Sequence, residues 1–371
     1  MKNGISLMDL AAELTRQQDT RRDFIADTRT TPVMVKEREE TVEIPTALEM
    51  QIGDDKHTIR PHALRQIGER LKIPAKYVDR LAADHPDMLA YNINALFSRE
   101  PESRMIRTLD GNVRAFLSDK YRPLDNFDLA NATLPHLATA GAEIQSCNIT
   151  ESKLYIKAIR ADLKAELPPP PGVEMGTGHN FFVETVQAGL TISNSEIGVG
   201  RLAIQPGIFT ERCSNLATFT STSFFKVHLG RKIGGQDESV LWEVLSDKTK
   251  ELSDAAIWGQ VNDLTTAAMD GTLFKKICDD LIKARTDVIT KDVPDMIELT
   301  QNKFGFTKEE TGGILAELIQ GGDLSRYGLH AAVTRHSQNI DDYDRASELE
   351  AIGGKVIELK PTEWAEIAKA A

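Results

Sequence analysis

Residues 104–126 read Arg-Met-Ile-Arg-Thr-Leu-Asp-Gly-Asn-Val-Arg-Ala-Phe-Leu-Ser-Asp-Lys-Tyr-Arg-Pro-Leu-Asp-Asn. Asp110-Gly111 is a dipeptide that type I′ turns favour, because both central residues of such a turn need positive φ. It predicts a hairpin of Arg104–Leu109 and Asn112–Leu117. In the second strand Val113, Ala115 and Leu117 alternate with Arg114 and Phe116, which assigns them to opposite faces. Pro123 breaks the strand, and Asp125 or Asn126 can cap a helix running to about Leu137 with Phe127, Leu129, Ala130 and Leu134 inward.

Beyond that helix, Ala142–Asn148 and Lys153–Ala161 read as a second antiparallel pair turning at Thr150-Glu151-Ser152. Asn180–Ser193 alternates as a strand, and strand-like sequence continues to Phe219. The fold class is therefore α+β: a central antiparallel sheet with packed helices, between helical N- and C-terminal regions. The expected segments are 1–97, helical and extended; 98–235, a β-rich core; and 236–371, helical.

The N-terminal part opens on a Ser6-capped amphipathic helix, most economically packed on its own domain, with an oligomerisation arm as the alternative. Residues 33–60 look extended, and helices follow at 61–71, 74–84 and from Pro86 to Phe97. Four prolines and three glycines make Ala165–His179 a mobile excursion. Gly198 and Gly200 loosely match a dinucleotide fingerprint, but apolar strand-like residues follow where that motif needs a helix. A turn between strands is the better account. In the C-terminal part helices are expected at 237–269, 272–289, 295–304 and 307–320, then one or two more between Ser325 and Leu349. The fourth has a capping box, Thr307 with Glu310, and Gly321 past its end. Val356–Leu359 reads as a short strand.

The chain has 371 residues and a net charge of −12. Its acidic surplus lies in the flanks, and residues 99–232 are nearly neutral. This argues against non-specific coating of nucleic acid and leaves room for a local basic groove. No apolar run is long enough to span a membrane. Acidic and basic residues interrupt the start where a signal peptide would be apolar. Three scattered cysteines form neither a disulfide framework nor a zinc set. The expected setting is the cytoplasm of a bacterial host cell.

Catalytic and metal signals are weak. His330 and His336 lack ligand spacing, and Asp341-Asp342-Tyr-Asp344 lacks the glycine of a calcium loop. Asp119, Asp125 and Asp128 fit a capped turn as well as a metal set. Ser193 and Ser195 with His179 have nothing to fix a nucleophile–base geometry. No catalytic residue, cofactor or metal is expected from these patterns.

The stronger signal is on the Lys153 strand, where Lys153, Tyr155 and Lys157 share the face opposite Leu154, Ile156 and Ala158. Cations with an aromatic between them suit single-stranded nucleic acid, with charge for phosphates and a ring for stacking. A solvated outer sheet face would show the same alternation. If the apolar face packs on helices, the basic face is free. The expected groove then draws on Arg104, Arg107, Arg114, Lys120, Arg122, Lys153, Tyr155 and Lys157.

Several stretches resemble the phage- and plasmid-borne family called domain of unknown function 932. They are Arg114 to Asn126, Gly189-Leu-Thr-Ile-Ser-Asn-Ser-Glu-Ile-Gly198, Arg212-Cys-Ser-Asn215 and Gly328-Leu-His-Ala-Ala-Val-Thr-Arg335. The openings Asn3–Met8 and Asp23–Asp27 are also similar, so the resemblance spans nearly the whole chain. Leu216 departs from it, standing where relatives have glycine. The resemblance implies a mobile-element setting and carries no catalytic residues. The hairpin–helix–strand order is similar to that of phage single-strand annealing proteins, an analogy of architecture.

The function expected on these grounds is non-enzymatic single-stranded DNA binding or annealing, in recombination or replication, by a homo-oligomer. The alternatives are an enzyme processing nucleic acid or nucleotides, and a protein-binding host-interaction factor.

Overall fold

The computed structural model describes residues 3–36, 47–169, 184–210, 215–219, 223–226 and 246–369. The fold is α+β and is built on two sheets. The first contains β1 (Arg22–Asp27), β2 (Val33–Val35), β3 (Leu48–Ile52), β4 (Asp55–Ile59), β5 (Ser103–Leu109) and β6 (Asn112–Ser118), in the order β1-β5-β6-β4-β3-β2. Pairing is antiparallel except between β4 and β6, where Thr58 and Ile59 lie beside Asn112 and Val113. Helices α2 (Pro61–Arg70), α3 (Ala75–Asp84) and α4 (Pro86–Arg99) cover one face. Ile59, Ile67, Leu89, Ile93, Phe97 and Ile106 form the core between them.

The hairpin forms as its turn residues require, with φ of 52° at Asp110 and 73° at Gly111. Its place differs from the expectation of one central sheet. β5 pairs with β1 and β6 with β4, so the first sheet crosses the segment boundary expected near Ser98. Short-range pattern marks a hairpin but not the strand it will lie beside, because either of its edges offers the same backbone donors and acceptors.

The second sheet holds β7 (Glu143–Ile149), β8 (Leu154–Leu167), β9 (Glu184–Asn194), β10 (Leu202–Thr210) and β11 (Asn215–Thr218), with β12 (Phe224–Lys226) also on β10. All its pairs are antiparallel. Gly198, at φ 78°, lies in the turn between β9 and β10, as expected. Ala165–Leu167 pair with Glu184–Val186, so that part of the expected excursion is strand; residues 170–183 lie outside the described residues. Leu216 seats against Gly189 and Gly207 at a point where a Cβ on either glycine would crowd it.

Helices cover both faces of this sheet. Leu154, Ile156, Leu190 and Ile192 pack with α1 (Leu7–Thr20), α5 (Asn126–Thr139) and α6 (Asp247–Ala268). Leu10 and Leu14 are buried there, so α1 packs on the second sheet and on α5 rather than on the N-terminal segment expected for it. Val186, Ala188 and Ile208 face α7 (Gly271–Thr286), α10 (Arg326–His336) and α11 (Tyr343–Glu358). α8 (Val293–Phe304), α9 (Lys308–Gly321) and α12 (Pro361–Ala368) complete a C-terminal helical core with Leu329, Leu349 and Val356. The capping box of Thr307 and Glu310 is present, and the left-handed residue ending α9 is Gly322, one beyond the glycine expected there. Val356–Glu358 are helical, which corrects the expected strand: buried Val356 and Ile357 extend the apolar face of α11.

Candidate functional site

Arg107 on β5 is 1% exposed and fully engaged. Its Nε donates to Asp23 Oδ1 at 2.7 Å, and its Nη2 donates to Asp125 Oδ1 at 2.7 Å. Its Nη1 donates to the Glu196 carbonyl at 3.0 Å. Burial works against the charge, but Asp125 and Asp23 outweigh it and hold the guanidinium above its ordinary pKa. Burial pushes Asp125 up, and Arg107 and Arg21 pull it further down, leaving it below the usual carboxylate range.

Asp125 occupies the N-cap of α5 but makes no side-chain cap, since its oxygens serve the two arginines. The cap comes from the other sheet. The Asn126 N–H donates to Glu196 Oε1 at 2.6 Å, and Arg114 Nη2 donates to Glu196 Oε2. Asn194 Nδ2 donates to the Leu124 carbonyl at 2.7 Å and to Asn126 Oδ1 at 2.9 Å. The stretches 121–126 and 194–198 thus interlock. Three arginines meet three carboxylates here, so the charge balances. Such an arrangement orients backbone and joins sheets; its lone pairs are spent on fixed donors.

The β8 face is not open. Lys157 is 0% exposed, and its Nζ lies 2.6 Å from Glu350 Oε2 on α11, with the Tyr343 ring centroid at 4.7 Å. Tyr155 is buried with its ring 5.3 Å from that of Tyr343. Burial and the neighbouring Asp344 raise its hydroxyl pKa. The expectation of a free basic face is corrected: α11 brings an acid and an aromatic to cover it.

Of the other expected residues, Arg104 pairs with Glu102 and lies over the Phe116 ring, and burial lowers its pKa. Arg107 and Arg114 belong to the network above. Lys120 is exposed and Arg122 half-buried in the turn after β6. That turn also carries Tyr121, whose hydroxyl donates to the Ser195 carbonyl at 3.4 Å. Lys153 is half-buried where the sheets meet, beside a narrow cleft lined also by Gln17, Arg114, Asn126, Thr150 and Ser152.

Sequence reading missed Asp23, Asn194, Glu196 and Glu350 as partners. The only signal for Asn194 and Glu196 was their place in a distinctive stretch. His330 is buried with Nδ1 2.8 Å from the Gly353 carbonyl, a packing role; His179 lies outside the described residues. Among the described residues no three His, Cys, Asp or Glu side chains are grouped to hold a metal, and no helix is long and apolar enough to cross a membrane. No family model, curated protein or solved structure matches the chain.

Proposed function

We propose that this protein is a non-enzymatic binder of single-stranded DNA, active in annealing or replication in a phage or plasmid setting and assembled as a homo-oligomer. The observation that supports this reading is the cleft beside Lys153. It offers one cation, Lys153, with the Asn126 amide beside it, groups suited to a phosphate oxygen. Arg114 is paired with Glu196, Gln17 donates to Glu13, and Thr150 and Ser152 donate to Asp344. Glu151 and Glu196 also line it; Glu151 pairs with Arg60, and the Glu196 carboxylate is occupied by Arg114 and the Asn126 N–H. Lys120 and Arg122 lie in the adjoining turn. The interface is narrower than the eight-residue groove expected from sequence, because Arg107, Arg114, Tyr155 and Lys157 are committed to the interior.

Binding of labelled oligonucleotides and annealing of complementary strands, with and without magnesium, test the reading. Wild-type protein is expected to bind single strands with salt-sensitive affinity. Lys153→Ala should weaken binding and flatten the salt slope by about 0.7, the value for one phosphate contact. Absence of wild-type binding at low salt would overturn the proposal, and an unchanged slope in a folded Lys153→Ala would remove the cleft from it.

A further inference from the structure

We propose that α2 and α3 form a helix–turn–helix that places α3 in the major groove of duplex DNA. This goes beyond the single-strand reading and uses none of the residues lining the cleft. Four residues, Leu71 to Pro74, separate the helices, the short connection such a motif requires. Lys72 in this turn has a left-handed φ of 58°. The turn is closed by Ile73 N–H donating to the Gly68 carbonyl at 2.8 Å and Lys72 N–H donating to the Glu69 carbonyl at 3.0 Å.

The helices cross at a small residue. A Cβ on Gly68 would come within 2.7 Å of Val78 Cγ2, so the close approach depends on glycine. Leu64, Ile67, Val78 and Leu81 are buried beneath the motif, where α2 packs directly on β6 and α3 on α4. The outward face of α3 is left exposed, with Lys76, Tyr77 and Arg80 at the surface.

Charge supports the same partner. From Arg60 to His85 there are six Lys or Arg and three Asp or Glu, in a chain of net charge −12. Arg60 and Arg70 pair with Glu151 and Glu102 outside the motif, and Lys72, Lys76 and Arg80 lie in the turn and on α3. One of the acids, Asp79, pairs with Arg65 at 3.3 Å. Another, Asp84, ends α3, away from the end that enters a groove. Pro74 precedes α3 as its N-cap residue and makes no side-chain cap, so the Ala75 and Lys76 N–H groups and the positive end of the helix dipole are presented to a backbone phosphate. Lys76, Tyr77 and Arg80 then face base edges and flanking phosphates, as side chains on the front of a recognition helix do. The class of partner is B-form DNA, read through its major groove.

The test uses the intact chain and a mixed-sequence duplex several helical turns long, followed by fluorescence anisotropy at low and at physiological salt. Wild type is expected to bind. The double variant Lys76→Glu, Arg80→Glu should bind at least about tenfold more weakly with a shallower salt slope. Both positions are at the surface, so far-UV circular dichroism and the melting temperature should be unchanged. Selection from a random duplex pool should enrich one motif with wild type and none with the variant. Lys153→Ala should keep duplex affinity, which separates failure of this inference from failure of the single-strand reading. A wild type that does not bind duplex, or a folded double variant that binds as wild type does, would overturn the inference. So would a single strand that competes as well as the duplex, which would transfer α3 to single-strand contact.

Discussion

Lys157 and Glu350 form an ion pair of 2.6 Å across 193 residues of sequence, with side chains 0% and 1% exposed. The pair fastens α11 to β8 and removes the middle of the basic strand from solvent. Desolvating two charges costs several kcal/mol, and removing one partner leaves the other uncompensated. Lys157→Met alone should therefore lose about 3–5 kcal/mol of stability, while Lys157→Met with Glu350→Leu should recover most of it. Urea unfolding of the four proteins of the cycle checks this. If the double change were as damaging as the sum of the singles, the pair would not be the clamp described.

Glu196 caps α5 and neutralises Arg114 at once. Glu196→Ala should cost about 3–5 kcal/mol, chiefly from the arginine left buried without its acid. Glu196→Gln keeps an acceptor for the Asn126 N–H and should cost less. The order of the two unfolding midpoints is the measurement. Equal midpoints would mean that the charge on Glu196 is not needed.

Acid sensitivity should trace to Asp125 and Glu310. Burial raises the Asp125 pKa, but Arg107 and Arg21 pull it below its ordinary value. The hydrogen bond from Arg345 lowers Glu310. A carboxylate depressed in the folded state contributes stability that is present above its unfolded pKa and is lost as pH falls through the folded one. Arg107 stays protonated throughout and adds no slope. Unfolding midpoints measured from pH 7 to pH 3 should fall over the acid end for wild type. The fall should be shallower for Asp125→Asn, already less stable at neutral pH; a parallel fall would place the titration elsewhere.

Two glycines should respond oppositely to alanine. A Cβ on Gly354 in α11 would stand 1.8 Å from the Thr218 carbonyl oxygen, backbone that cannot swing aside. Gly354→Ala should cost roughly 2 kcal/mol or more through forced separation of α11 from β11. Gly259 in α6 has nothing within 4 Å of the added atom. Gly259→Ala should stabilise by about 0.5–1 kcal/mol through helix propensity. Melting temperatures moving in opposite directions are the expected result.

The sequence by itself determined what depends on neighbours a few residues apart. Asp110-Gly111 specified its turn because few residue pairs accept two positive φ values, and Thr307 with Glu310 specified a helix start because each satisfies the other's backbone donor. The alternation along β8 separated Leu154, Ile156 and Ala158 from Tyr155 and Lys157, as the structure also does, while Lys153 lies just before the strand. Tertiary structure alone decided which strand lay beside the hairpin and what covered each face. Alternation states that two faces differ, but a lysine row is compatible with water, a phosphate or a glutamate. For Lys157 the choice fell to Glu350, carried to it by a helix whose own position depends on Gly354 meeting Thr218. Asp125 likewise has the form of a cap, yet Arg107 and Arg21 claim it and Glu196 takes over its task. Such assignments rest on contacts many tens of residues apart, where burial and pairing outweigh local preference.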